Sequence, residues 1–69
     1  MGTKKGTIKF FSYAKGYGFI KPDEGGKDVF VHISALGNVA RDLVENDVVS
    51  YDLAPSDKGL KAVEVALEK

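Results

Sequence analysis

A chain of 69 residues, 43% apolar and 29% charged, has room for one small domain spanning residues 1–69 and excludes a second. Without cysteine it can form no disulfide, thiolate metal site or cysteine nucleophile, and with His32 as its one histidine a structural zinc is not expected. Ten basic and ten acidic side chains cancel, so overall charge alone gives no support to a polyanionic partner.

From the amino terminus, Thr7-Ile8-Lys9-Phe10-Phe11 is rich in β-branched and aromatic residues and predicts a first strand. Ser12-Tyr13-Ala14 reads as a turn. A second strand runs from Gly16 to Lys21 and is closed by Pro22, which cannot donate to a central ladder. Asp23-Glu24-Gly25-Gly26-Lys27 offers the positive-φ positions of a hairpin, and Asp28 to Ile33 resumes β character, so strands two and three should be antiparallel neighbours. Ser34-Ala35-Leu36-Gly37 suits one helical turn, capped by Ser34 and stopped by Gly37. A polar connection follows over 38–46, with Val39 and Leu43 as anchors. Val48 to Leu53 alternates with Val49, Tyr51 and Leu53 on one face, and Ala62 to Leu67 does the same with Val63, Val65 and Leu67. Between these two strands Pro55-Ser56-Asp57-Lys58-Gly59 is turn chemistry. Five short strands without a covering helix must bury their apolar faces against one another, and a small closed or partly open barrel achieves this. No internal repeat, low-complexity segment or apolar run of about 18 residues occurs, and a soluble, cytoplasmic chain without a membrane partner is expected.

The charge is unevenly distributed. Residues 1–33 carry six lysines against Asp23, Glu24 and Asp28, a balance of +3, whereas residues 34–69 carry four basic groups against seven acids, a balance of −3. Six of the seven aromatics lie in the basic half, and only Tyr51 lies outside it. Strand parity says where they point. The two-residue period places Lys15, Tyr17, Phe19 and Lys21 on one face of strand two, opposite Gly16, Gly18 and Ile20. On strand three it places Phe30 and His32 opposite an all-aliphatic row of Val29, Val31 and Ile33, the natural core. Tyr17, Phe19, Phe30 and His32 then form an outward cluster fringed by lysines, which a chain that only had to fold would avoid because it exposes apolar area. Unpaired nucleobases match it. Every base offers a π-face, stacking on an aromatic side chain is worth about 1–3 kcal/mol per base, and lysines neutralise the intervening phosphates. A duplex keeps its bases stacked internally and cannot use such a platform.

Lys15-Gly16-Tyr17-Gly18-Phe19-Ile20 matches the opening of the first ribonucleoprotein motif with Ile in place of Val, and Val29-Phe30-Val31-His32 matches the second in the order found in cold-shock domains. With Gly6-Thr7-Ile8-Lys9-Phe10-Phe11, Gly25-Gly26-Lys27-Asp28 and Ser34-Ala35-Leu36, the chain closely resembles bacterial cold-shock proteins over essentially its whole length. The resemblance implies an all-β, five-stranded antiparallel oligonucleotide-binding (OB-fold) barrel that binds single-stranded RNA and DNA, acting as an RNA chaperone and transcription antiterminator. Carried over by position, it places base stacking on Phe10, Tyr17, Phe19, Phe30 and His32. Lys9, Lys15 and Asp28 become polar or backbone-contacting neighbours, with Lys58 at the rim. An RNA-recognition motif shares the first signature but needs two helices and a longer chain. The family usually has Trp where Phe10 stands, Asn at Ser12, a second Phe at Ile33 and often an aromatic within 37–41, so a smaller platform with weaker outer subsites is expected. Strict alternation would put Phe10 on the side of Ile8, so an outward Phe10 with Phe11 partly buried requires a bulge or strong twist at this point.

Other readings of these residues are weaker. Asp23 and Glu24 sit among turn glycines, where solvation is expected and a general acid and base pair is not. Gly25-Gly26-Lys27 and Gly16-x-Gly18 lack the spacing of phosphate-cradling loops. An enzyme would need a polar constellation in a pocket, and a protein-interaction barrel usually sets its aromatics beside acidic loops, whereas lysines flank these. No motif asks for a cofactor or a metal, and a monomer is expected.

Overall fold

The computed structural model describes residues 4–36, 42–57 and 59–68. Lys58 and residues 37–41, with Gly37 and Val39, lie outside the described residues. Five strands occur in chain order: β1 (Lys4–Ser12), β2 (Tyr17–Pro22), β3 (Val29–His32), β4 (Val48–Ser56) and β5 (Gly59–Leu67), with one 3₁₀ turn, η1 (Ile33–Leu36), after β3. They close into a barrel in the order β1-β2-β3-β5-β4. Pairings β1–β2, β1–β4, β2–β3 and β4–β5 are antiparallel, and β3–β5, which closes the wall, is parallel through Phe30 with Lys61 and Val31 with Ala62. This is the five-stranded, all-β barrel expected from the pattern.

Each strand sends one or two side chains to a shared interior. Ile8, Ile20, Val31, Val49, Tyr51, Ala62 and Val65 are buried there, and Leu36 from η1 and Leu43 from the following segment complete the cluster. Ile8 and Ile20 are direct cross-strand partners, so two branched side chains meet at the centre of the β1–β2 pair. Leu43 anchors its segment as expected: its backbone N–H donates to the Tyr13 hydroxyl at 2.7 Å, and the Tyr13 ring lies 4.7 Å from that of Phe11. The β2–β3 connection turns at Gly25 and Gly26, whose φ values of 88° and 95° are open to glycine at little steric cost.

Several boundaries differ from the sequence expectation. β1 starts at Lys4, earlier than Thr7, because its first residues pair with β4, Lys4 with Tyr51 and Lys5 with Ser50. β2 begins at Tyr17, and Gly16, with φ of 81°, belongs to the preceding turn together with Lys15. β4 and β5 pair as far as Ser56 with Gly59, so Pro55 and Ser56 stay extended and the turn between them shortens. Ile33 was expected in the core row with Val29 and Val31, but β3 stops at His32, and Ile33, the first residue of η1, is 38% exposed. The tightening of the chain into a 3₁₀ turn ends the strand's alternation one residue early. The expected row Val63, Val65 and Leu67 is also broken. The β4–β5 register shifts between Ser50 and Asp52 so that Glu64 and Val65 together oppose Tyr51, and Glu64 has φ of 51°. This bulge lets Ala62 and Val65, which have opposite parity, both enter the core.

Candidate nucleic-acid interface

A second bulge builds the functional face. Ile8 pairs with Ile20 but Phe10 pairs with Phe19, so Lys9 is the extra residue of β1. The slip reverses the parity of everything after it. Ile8 is buried, Phe10 is turned out and 42% exposed, and Phe11 packs against the core. Phe11 lies over Gly18, its cross-strand partner, and a Cβ at position 18 would meet Phe11 Cδ2 at 2.5 Å and the Phe10 carbonyl oxygen closer still. Only a hydrogen at Gly18 lets the bulged β1 backbone approach β2 this closely.

On the outer side of β2 and β3, Tyr17 pairs with His32 and Phe19 with Phe30. Tyr17 and Phe30 are stacked with centroids 5.8 Å apart and planes 27° from parallel, while Phe19 meets Phe30 edge-on at 6.0 Å and Tyr17 edge-on at 6.2 Å. Phe10 extends the row, edge-on to Tyr17 at 6.2 Å. None of these rings belongs to the buried core; Tyr17, Phe19 and Phe30 are half-buried, and His32 is exposed. Tyr17, Phe19, Phe30 and His32 line one open groove of about 860 Å³. Its far wall comes from residues the sequence reading did not select: Ser56 and Asp57 at the β4–β5 turn, and Leu60 and Lys61 on β5. Leu60 is 59% exposed. Their place beside the aromatics follows from the parallel β3–β5 pairing, a long-range contact that no local signal announces, although an exposed Leu next to a turn glycine is a cue.

The polar neighbours are distributed differently. The Lys9 ammonium donates to Asp28 at 2.8 Å, so two residues selected separately form one ion pair at the edge of the groove. Lys15 is in the β1–β2 turn, where its backbone N–H donates to the Ser12 hydroxyl at 3.2 Å. Lys4 pairs with Glu24 at 3.4 Å, and Asp23 and Glu24 are exposed. Tyr51, on β4 and buried in the core, has its phenol pushed above the ordinary 10.0 chiefly by desolvation, and secondarily by the negative charges of Glu24 and Asp23. Ser34 does not cap η1. The turn starts one residue earlier, and the cap is the His32 imidazole, whose Nδ1 accepts from the Ser34 backbone N–H at 3.1 Å and lies 2.9 Å from the Ser34 hydroxyl.

Among the described residues no group of three or more His, Cys, Asp or Glu side chains is placed to hold a metal, and no helix is long and apolar enough to cross a membrane. Residues 4–68 match the family profile of the 'Cold-shock' DNA-binding domain. The chain belongs to the cold-shock domain family. This cold-shock domain is 49% identical over 61 residues to the Major cold shock protein of Micrococcus luteus, covering 87% of this chain and 91% of that protein. It is 46% identical over 66 residues to Cold shock-like protein CspC of Escherichia coli strain K12, covering 94% and 96% of the two chains. In three dimensions the cold-shock domain resembles a solved structure of Drosophila Unr CSD456 with a TM-score of 0.81 at 23% identity, a likeness of fold that covers 96% of this chain and 26% of that longer one.

Proposed function

We propose that this cold-shock domain binds single-stranded RNA and DNA by stacking unpaired bases on Phe10, Tyr17, Phe19, Phe30 and His32. Lys9, Lys15 and Asp28 serve as polar or backbone-contacting neighbours of the strand, and Lys58 is assigned to a phosphate. The observation that carries this reading is the contiguous wall of rings turned away from the core across three strands. The rings pack on one another, but a face of this kind leaves apolar area exposed and invites association, so its use lies in a ligand that presents flat apolar surfaces. Unpaired bases do so, and their phosphates match the lysine-rich half of the chain. A protein that grips unpaired bases opposes the refolding of RNA hairpins, which is the physical basis for action as an RNA chaperone and transcription antiterminator. We assign this role to a monomer in the cytoplasm comprising one domain over 1–69, without a cofactor, metal or catalytic residue.

The chain has no Trp, so its intrinsic emission comes from three tyrosines, of which Tyr17 stands in the groove while Tyr51 is buried. Titration with oligothymidine is expected to quench Tyr17 emission saturably, with a duplex of equal length binding far more weakly. Absence of quenching, or equal affinity for duplex, refutes the reading.

A further inference from the structure

The His32 ring does more in this fold than present a flat face. Its Nδ1 is approached by two groups of the η1 turn, the Ser34 backbone N–H at 3.1 Å and the Ser34 hydroxyl at 2.9 Å. A backbone N–H only donates, so Nδ1 must be the unprotonated, accepting nitrogen, and the Ser34 hydroxyl is free to rotate its own hydrogen toward the same atom. A neutral imidazole with Nδ1 bare carries its proton on Nε2. The turn that begins at Ile33 thus fixes the tautomer of the residue before it. Nε2 takes no part in these bonds and lies across the ring from Nδ1, directed away from η1 on a side chain that is exposed and lines the groove.

We propose that His32 gives the bound strand a directed hydrogen bond from Nε2–H in addition to its ring face, with η1 acting as the positioning element that holds the donor in this tautomer. The inference rests on the single-strand reading above and deepens it. The ligand group follows from geometry. Nε2–H lies in the imidazole plane, so it cannot reach the base stacked parallel to that plane. Of the acceptors that can lie beside the ring in that plane, the sugar-phosphate oxygens recur at every nucleotide whatever its base, and one of them is the assigned acceptor. Asp28, Asp57 and Lys61 are the charged groups sharing the groove with His32, and Tyr17 is its cross-strand neighbour. Of these, the two carboxylates only accept, the lysine carries its charge on a flexible stem, and the phenol belongs to the stacking row. His32 therefore supplies the groove's rigid, uncharged ring donor.

Two variants separate the functions of the two nitrogens. In His32→Asn the side-chain oxygen replaces Nδ1 as acceptor for the Ser34 N–H, as Asn does at helix N-caps, while the Nε2 donor is lost. In His32→Gln the longer amide places an N–H near the Nε2 position and gives up the cap. Both lose the ring, so their difference isolates the donor from stacking. His32→Gln is expected to bind oligothymidine about fivefold more tightly than His32→Asn, the effect of one ordinary hydrogen bond. It is also expected to melt several degrees lower. In the unaltered protein, imidazole nitrogen spectra recorded at about pH 8 should show a pyridine-type Nδ1 and a pyrrole-type Nε2. A protonated Nδ1, or a His32→Gln affinity no better than that of His32→Asn while the unaltered protein binds, overturns this inference and leaves base stacking intact. Failure of the unaltered protein to bind oligothymidine overturns both.

Discussion

Phe19 and Ile20 are neighbours in β2, yet they face opposite sides of the barrel wall. Ile20 is fully buried against Ile8, and its replacement by Ala leaves a cavity that costs about 2–5 kcal/mol of stability. Phe19 is half-buried among other rings, so Phe19→Ala is expected to take about 1–3 kcal/mol from oligothymidine binding while destabilising the fold much less than Ile20→Ala. Urea midpoints and binding titrations on the two variants check the pair together; a Phe19→Ala protein that unfolds first would invert the assignment of faces. Tyr51 supplies a second test at this scale. Its phenol is held above the ordinary 10.0 in the folded state, mainly because burial disfavours the phenolate. Above that ordinary value the unfolded chain releases the proton before the folded one does, so stability is fully present below pH 10.0 and is lost as pH rises through the folded value. Melting temperature should therefore fall on the alkaline side of pH 10.0, and Tyr51→Phe should remove that part of the decline.

Alternation along β2 and β3 was enough to separate the rings from the valines, because both strands are short and regular where Tyr17 to Ile20 meets Val29 to His32. Where the structure departs from the sequence reading, an element contains a slip or an early ending that side-chain type does not encode. At Phe10-Phe11 the bulge was expected only because the family resemblance turns Phe10 outward while strict alternation puts it on the side of Ile8, and Lys9 supplies it. At Glu64 no such signal existed, since the apolar residues of β5 also fit plain alternation, and the bulge appears only through the β4–β5 register. The groove's far wall was hidden for the same reason, as parallel pairing of β3 with β5 joins segments about thirty residues apart. Tyr13 illustrates a link between elements. Its hydroxyl accepts the part-buried Leu43 N–H, and Tyr13→Phe leaves that donor without its partner. A loss of about 1–3 kcal/mol is expected, together with faster amide exchange at Leu43. Unchanged exchange at Leu43 would show that the segment is held by its buried side chain alone.

At the scale of the whole molecule, a net charge of zero does not describe the surface a ligand meets. The lysine-rich half is tied to carboxylates at several points: Lys4 to Glu24 at 3.4 Å, Lys5 to Glu68 at 3.6 Å and Lys9 to Asp28 at 2.8 Å. Exposed pairs of this kind add little to stability and are screened by salt. Their consequence is electrostatic: a lysine already facing a carboxylate adds little net positive charge near a phosphate. With only about three or four phosphates neutralised, the logarithm of affinity should fall against the logarithm of salt concentration with a slope of about −2 to −3 for a single strand, shallow for a nucleic-acid binder and consistent with affinity drawn mainly from stacking. The Lys9–Asp28 pair tests this balance. Asp28→Asn keeps a polar amide beside the groove but frees the Lys9 ammonium, adding one uncompensated charge next to Phe10 and Phe19. The expected result is tighter binding at low salt and a slope steeper by about 0.7, so that the variant and the unaltered protein converge in affinity as salt is raised. A slope unchanged by Asp28→Asn would mean that Lys9 already leaves its carboxylate for a phosphate in the complex, and would place the pair among the contacts that binding rearranges.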